Sequence, residues 1–416
     1  MNLYIPKNKS EIIHHLQDPL FKNSFFIILT SISGAGFGFI FWILAAKLSS
    51  AEDVGIATAL ISSMTLLILI SKLGLDFSII RFCPTNDKSR IFSTSIVITT
   101  LISLIFGVIF IAGVDIFSPE LHLLRSPLNA LIFLISLAAN TITQLTANSF
   151  VAIRKAGFQF IQSIIVGSRI IFLFPFITLG AMGIFDAIGI SAVLTVAVTF
   201  ILLVKSGAKP VLVIDRNFLN ESFHFSAGNY LYSMFMAGPN MIMPVMVLNI
   251  LGAEQAAYFY IAFAIASLLF MIPIAISTSL FVEGSYGEEL KKIVIKSLFA
   301  IFAVLLPTAC ALYVGGEWVL GITGKDYAIG GLEVLRVMII ASLFMGVNQV
   351  YFAIKRIQKD MHGVIVLSGV ISGLLIVLGY LFMSMFGIIG VGYAWLIGNG
   401  IGSICVGIIA WRERWI

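Results

Sequence analysis

The chain has 416 residues, 59% apolar and 11% charged, with a net charge of +5 and a mean hydropathy of +1.07. Soluble domains carry roughly 25% charged residues, so this composition excludes a water-soluble enzyme or binding module. The bases lie in short clusters between apolar runs rather than on one basic face, a pattern of membrane orientation that excludes nucleic acid as a partner.

The polar start Met1–Phe21, with Lys7, Lys9, His14 and His15, precedes an apolar run too long for a signal-peptide core, so 1–24 is expected to remain as a cytosolic segment. About 20 apolar residues cross the ~30 Å hydrocarbon core as a helix, which satisfies its own backbone. Six such runs follow: Phe25 to Ala46, Val54 to Ser71, Ile91 to Ile111, Leu128 to Phe150, Phe158 to Leu179 and Ile184 to Val204. A basic stretch, 205–224, reads as a cytosolic linker. Six more runs then extend from Phe225 to Leu248, Ala256 to Phe281, Ile293 to Tyr313, Val337 to Ile354, Val364 to Met383 and Ile388 to Trp411, ahead of a tail, 412–416. The predicted fold is all-α, a polytopic membrane protein whose twelve helices form an N-lobe (25–204) and a C-lobe (225–411). The longest connections, around Val314 to Arg336 and Lys205 to Ser222, are short. Cys83, Cys310 and Cys405 lack the spacing of a zinc site or disulfide framework and read as small apolar residues.

Assigning alternate connections to opposite sides places 20 of the 25 bases on the side of the termini, including Lys72, Arg81, Arg154, Lys155, Lys205, Lys291, Lys355, Arg356 and Arg412. Lys47, Arg125, Lys325 and Arg336 fall on the other side, and Arg169 lies within an apolar run. Both termini are therefore expected in the cytosol.

The chain also repeats itself. A shift of 202 residues aligns Phe21, Ser24, Leu29, Ala35, Gly36, Ala51 and Glu52 with Phe223, Ser226, Leu231, Ala237, Gly238, Ala253 and Glu254. With small shifts, Ala152-Ile153-Arg154-Lys155 resembles Ala353-Ile354-Lys355-Arg356, and Gly183-Ile184 resembles Gly387-Ile388. Two copies of six spans enter the membrane in the same sense and are related by an axis along its normal, which makes the interface between them the expected route.

The stretch Leu44-Ala45-Ala46-Lys47-Leu48-Ser49-Ser50-Ala51-Glu52-Asp53-Val54-Gly55, followed by Gly74-Leu75-Asp76-Phe77-Ser78-Ile79-Ile80-Arg81-Phe82, resembles the start of Wzx-type polysaccharide biosynthesis flippases of the multidrug/oligosaccharidyl-lipid/polysaccharide exporter superfamily. The basic turn at Arg154-Lys155, the repeat and the twelve spans extend the resemblance over nearly the whole chain. It implies two six-helix lobes alternating between inward-open and outward-open states around a central cavity. The implied cargo is a lipid-linked oligosaccharide on a polyprenyl diphosphate, with membrane lipids and the polymerase or glycosyltransferases of the same pathway as partners. Lipid II flippases of the superfamily commonly have two further helices, for which no runs remain here.

Within the spans, Arg169 is expected to face the cavity, where a guanidinium binds diphosphate oxygens bidentately; the alternative is an arginine bonded to neighbouring polar groups. Asn140, Gln144 and Asn148 share one stripe of span 4, and Asn348 and Gln349 occupy the equivalent level of span 10, as cargo contacts or as glue between helices. Gly36 and Gly38 in span 1, and Pro239 and Pro244 in span 7, mark matching interruptions that suit bends or gates; Asn229, Tyr232 and Asn240 would then line the cavity. Asp76 and Asp186 are the candidates for ion coupling, since no Asp or Glu occurs between Phe21 and Ser50, where ion-coupled exporters of the superfamily often carry one. Neither a phosphate-binding loop, a metal constellation nor a nucleophile triad is present, so no cofactor is expected. The expected function is flipping of the lipid-linked glycan. A cation-coupled multidrug exporter, a lipid II flippase and a membrane glycosyltransferase are the alternatives.

Overall fold

With no water at the centre of a bilayer, the apolar runs must bond their own backbone, and each becomes a helix. In a computed structural model of the protein, which describes residues 19–416 apart from 84–85, 209–210, 212, 286–289, 414 and 416, twelve helices are long and apolar enough to cross a membrane. They are α1 (Pro19–Leu48), α2 (Ala51–Ser71), α3 (Lys88–Ala112), α4 (Pro127–Ala152), α5 (Ala156–Leu179) and α6 (Ala181–Lys205) in the first half. The second half comprises α7 (Arg216–Leu251), α8 (Ala253–Ser285), α9 (Leu290–Gly321), α10 (Lys325–Ile357), α11 (Met361–Phe386) and α12 (Ile388–Arg412). No strand occurs among the described residues. Most of the segment 1–24 lies outside them.

Polar residues at the helix starts explain several boundaries. Ser50 accepts from the Asp53 N–H at 3.1 Å, Asp87 from Ser89 at 2.9 Å, Asp215 from Phe218 at 3.0 Å and Asp360 from Gly363 at 3.0 Å, each satisfying a donor the helix leaves free. The Asp215 cap starts α7 earlier than hydropathy suggests, so the linker narrows to Ser206–Asp215. It is strapped to α3 by the Val211 N–H on Ser93 at 2.9 Å and the Asp215 N–H on Thr94 at 3.0 Å. The predicted connection Val314 to Arg336 is mostly helix, with only Ile322–Gly324 between α9 and α10. Gly315, Gly316, Glu317, Asp326 and Glu333 lower its hydropathy without breaking it.

The duplication is visible in the backbone, at an offset that grows along the chain. Ala51 and Ala253 open α2 and α8, 202 residues apart. The α4–α5 and α10–α11 turns place Arg154 (φ 56°) and Lys359 (φ 60°) in the left-handed region, and the next N–H of each turn bonds back five residues, Lys155 to Phe150 and Asp360 to Lys355. Gly180 (φ 61°, ψ −134°) and Gly387 (φ 60°, ψ −145°) open α6 and α12 in a conformation open to glycine. The basic turn Arg154-Lys155 therefore corresponds to Lys359-Asp360, not to Lys355-Arg356, and Gly180 and Gly183 correspond to Gly387 and Gly390. Extra residues in the second copy shifted the apparent pairing by three to four positions.

The halves meet along α2, which packs against both α7 and α8. At the end that carries the start of α1 and the end of α12, here the terminal end, the Ser78 and Ser226 hydroxyls bond at 2.6 Å and the Tyr230 hydroxyl donates to the Ile70 carbonyl at 2.7 Å. At the opposite end, Ser118 donates to Asn249 Oδ1 at 2.8 Å and the Asn249 amide donates to the Phe117 carbonyl at 3.2 Å. There Gly55 lies against the Ala253 backbone, where a Cβ would fall 1.8 Å from the carbonyl oxygen. Small residues and hydrogen bonds, rather than greasy contacts, hold helices together where the solvent is itself apolar.

A candidate translocation cleft

One side of this assembly remains open. α1 packs on α5, and Phe25, Ile28 and Ile32 stay exposed. α1 and α8 meet at the opposite end, where the Trp42 and Tyr260 rings are 4.7 Å apart. Between them lies a cavity of about 220 Å³, walled by Gly34, Gly38 and Phe39 of α1 and Ala264, Leu268 and Met271 of α8. Ser267 and Met271 also border a second cavity of about 290 Å³ inside the C-terminal half, between α7, α8, α10, α11 and α12, so the two spaces adjoin. Aromatic rings and thioethers form about half of its wall, with Phe263, Phe352 and Trp395 beside Asn240 and Gln349.

Arg169 stands behind the α1 wall of the first space, next to Gly38. α5 breaks at Ser168, after Gly167, whose missing side chain admits the Phe37 ring of α1; a Gly-Ser pair is a usual site for such a kink. The break makes Arg169 the first residue of the segment Arg169–Phe176, where the partial positive charge of the helix start adds to its own. Its guanidinium carbon lies 5.2 Å from the Phe41 ring centre, a Cβ on Gly38 would sit 3.3 Å from its Nη2, and Tyr260 is close enough for electrostatic interaction. Nε is buried without an acceptor, and Arg169 makes no ion pair among the described residues. The Phe41 face, with Tyr260 nearby, thus holds a guanidinium whose charge no carboxylate among the described residues neutralises.

The other predicted residues separate into groups. Asn140 bonds within α4, to the Ser136 carbonyl at 2.9 Å, and reaches Met64 of α2, whereas Gln144 and Asn148 on the same stripe are half-buried and bond to no group among the described residues. Asn348 is 1% exposed and donates to the Asn399 carbonyl at 3.1 Å and side chain at 3.3 Å, while Ser403 donates to its Oδ1 at 3.2 Å. It ties α10 to α12, although its edge reaches the cavity. Gln349 lines the same cavity with no side-chain hydrogen bond among the described residues, and Asn240 lines it with only a bond at 3.3 Å to its own helix among them. Asn229 is half-buried on α7, and its side chain has no hydrogen bond among the described residues.

α1 runs unbroken through Gly36 and Gly38, and α7 runs unbroken through Pro239 and Pro244. Gly36 faces open space, so of the two only Gly38 makes room for a neighbour, Arg169. Asp76 lies outside the cleft, on the short helix Leu75–Phe82, with Lys72 at 3.9 Å. Burial pushes its carboxyl above the ordinary carboxylate range and the Lys72 ammonium below its own, each partly offset by the other's charge. Asp186 is 8% exposed in α6 with Oδ1 unpartnered, seven residues before exposed Val193 on the same stripe.

Sequence reasoning missed Arg356. It was counted among the turn bases because predicted span 10 stops at Ile354, yet α10 continues to Ile357 and its guanidinium carbon lies 4.1 Å from the Tyr232 ring centre. The ladder Met345, Gln349, Phe352, Arg356 at helical spacing was the available signal.

These features define a polytopic helical membrane protein of two six-helix halves, closed along one seam and cleft along the other. The family described as polysaccharide biosynthesis protein matches residues 20–281, and the chain belongs to that family. It is 25% identical over 207 residues to a "Putative O-antigen transporter" of Shigella flexneri, a match spanning 45% of this chain and 49% of that protein, so the chain spans about half the length of the curated relative it matches. Its fold is similar to that of a multidrug resistance MATE family transporter of the MOP superfamily in its inward-facing conformation, with TM-score 0.75 and 16% identity over 94% of this chain and 98% of that one. Similar too is lipid II flippase MurJ in an inward closed conformation, with TM-score 0.74 and 15% identity over 93% and 87% of the two chains. At those identities the likeness is one of fold.

Proposed function

We propose that the protein flips a polyprenyl-diphosphate-linked oligosaccharide across the plasma membrane by alternating access, with α1–α6 and α7–α12 as the moving lobes, the segment 206–215 as the linker between them and both termini cytoplasmic. The observation that carries this reading is Arg169, a guanidinium with no ion-pair partner among the described residues, held against Gly38 in the wall of the cavity between α1 and α8. A lone cation inside a bilayer is expensive unless something anionic visits it, and a sideways opening suits a cargo whose tail belongs in lipid. The amides of Gln144, Asn148, Gln349 and Asn240 donate to and accept from sugar hydroxyls, and the Trp395 and Phe263 faces suit pyranose rings. The family and the Shigella relative support polysaccharide precursors as the cargo class.

The test is flipping of a fluorescent lipid-linked oligosaccharide in proteoliposomes by wild type, Arg169→Ala and Arg169→Lys. A charge-assisted hydrogen bond contributes about 1.5–3 kcal/mol, so the alanine variant should slow flipping by roughly 10- to 100-fold and the lysine variant by less. Unchanged flipping in R169A at equal expression would remove the carrying observation. The multidrug-exporter reading lacks a carboxylate on α1; efflux of amphipathic drugs driven by sodium or protons would favour it instead.

A further inference from the structure

Lys355 and Arg356 are adjacent bases at the terminal end of α10 with opposite surroundings. Lys355 is 6% exposed, donates to the two oxygens of Glu413 at 2.8 and 3.1 Å, lies 3.2 Å from Asp360 and faces the Trp415 ring at 5.4 Å. Both carboxylates at this corner are thereby engaged. Arg356, about 100° further round the helix, has no carboxylate within ion-pair distance among the described residues. It lies over Tyr232, within side-chain hydrogen-bonding reach of that hydroxyl; the Tyr232 ring meets Phe352 at 5.5 Å, and the Arg356 Nε is buried with no acceptor.

The pair has a defined place. Phe352, Gln349 and Met345 of α10, and Phe235, Met236 and Asn240 of α7, line the 290 Å³ cavity. Arg356 and Tyr232 continue those two rows by one turn, so they lie just beyond its lining toward the terminal end. An arginine stacked on an aromatic face keeps the edge of its donor fork for an anion, and stacking removes the side-chain freedom that binding would otherwise have to restrict.

We propose that Arg356, on its Tyr232 platform, is a second anion-binding position, just beyond the lining of the C-terminal cavity toward the terminal end, that engages a lipid-borne phosphate separately from Arg169. The assignment of that phosphate to the polyprenyl carrier rests on the flippase reading above. Tyr232 precedes the end of α7, Leu251, by 19 residues, and Tyr260, beside Arg169, follows the start of α8, Ala253, by seven. At ~1.5 Å per residue the two guanidinium positions are roughly 18 Å apart across the membrane. One diphosphate cannot bridge them, so they act in succession.

Full-length protein in phosphatidylcholine nanodiscs, titrated with farnesyl diphosphate and with farnesol as the uncharged control, tests this. Arg356→Gln should weaken farnesyl diphosphate binding about tenfold, Arg356→Lys by less, and Tyr232→Leu, which keeps the charge and removes its platform, by an intermediate amount; farnesol binding should not change. R356K serves as the folding control, because it keeps the cation. If R356Q and Y232L bind like wild type while R169Q does not, Arg356 is no anion contact and the flippase reading stands. A wild type that fails to distinguish farnesyl diphosphate from farnesol overturns both. The difference between wild type and R356Q should persist in nanodiscs enriched in phosphatidylglycerol; its disappearance would give the position to a headgroup phosphate and overturn its assignment to the carrier.

Discussion

Gly55→Ala is the smallest change that should move the whole protein. The added Cβ would lie 1.8 Å from the Ala253 carbonyl oxygen and 2.6 Å from its carbonyl carbon, both backbone atoms that no rotamer change can withdraw. Against the ~3.3 Å of a close C···O contact, α2 and α8 must part by roughly 1.5 Å at the end opposite the termini. Overpacking of this kind costs about 1–3 kcal/mol, and the strain is confined to the arrangement in which this end is shut, where Ser118 and Asn249 also bond. A bias of that size changes a two-state population by about 5- to 150-fold. Electron–electron spin distances between labels at exposed Ile116 and Ile329, in a background with Cys83, Cys310 and Cys405 replaced, should lengthen in G55A. Identical distance distributions in wild type and G55A would show that this contact does not control closure.

Asn348→Leu strands the polar groups of Asn399 and Ser403 and should lower thermal stability by about 1–3 kcal/mol, read by a melting assay in detergent; an unchanged melting point would reassign Asn348 from helix glue to cargo contact. Asp53→Ala removes the acceptor for the Ala181 N–H at 3.0 Å and the partner of the Ser50 hydroxyl at 2.7 Å, and should destabilise the start of α6 by about 1 kcal/mol, seen as faster amide exchange at Ala181. Asp186→Asn removes an unpartnered buried carboxylate and should keep or raise stability; flipping that stays gradient-dependent in this variant excludes Asp186 from coupling. The Asp360 carboxyl is held below the ordinary range chiefly by the Gly363 N–H, with Lys355 adding to it. Its cap on α11 is therefore complete above the unfolded value of ~3.9 and is lost as pH falls through the lowered one, so exchange at Gly363 should rise only in that acid window.

Span number and the six-plus-six division were legible because hydrophobic length is a direct consequence of bilayer thickness. The register of the later repeat was not. Arg154 and Lys359 match in backbone torsion and hydrogen bonding rather than in neighbours, and a text alignment prefers Lys355-Arg356, which carries two bases. The same preference hid Arg356 in a turn. Arg169 was visible as a base inside an apolar run, but its aromatic surroundings come from α1 and α8, over 120 and about 90 residues away respectively. Asn348 and Gln349 are neighbours in sequence with the same amide, yet one bonds into α12 and the other borders the cavity, because they point about 100° apart. Hydropathy ends span 9 at Tyr313 and opens span 10 only at Val337, past Asp326, Glu333 and Arg336, since it measures solvent preference and not hydrogen bonding.

The side of the molecule where α1 touches little but α5 has a consequence for what the protein has to recognise. A passage with a missing wall sets no limit on the part of a molecule left hanging outside it. A prenyl chain trailing through that gap would remain among acyl chains from start to finish and never change solvent. Only the phosphate and sugars would be dehydrated and rehydrated, and only they would meet the two arginines. Lengthening the hydrocarbon by an isoprene unit should then leave the transfer rate nearly untouched, while removing one phosphate charge should not.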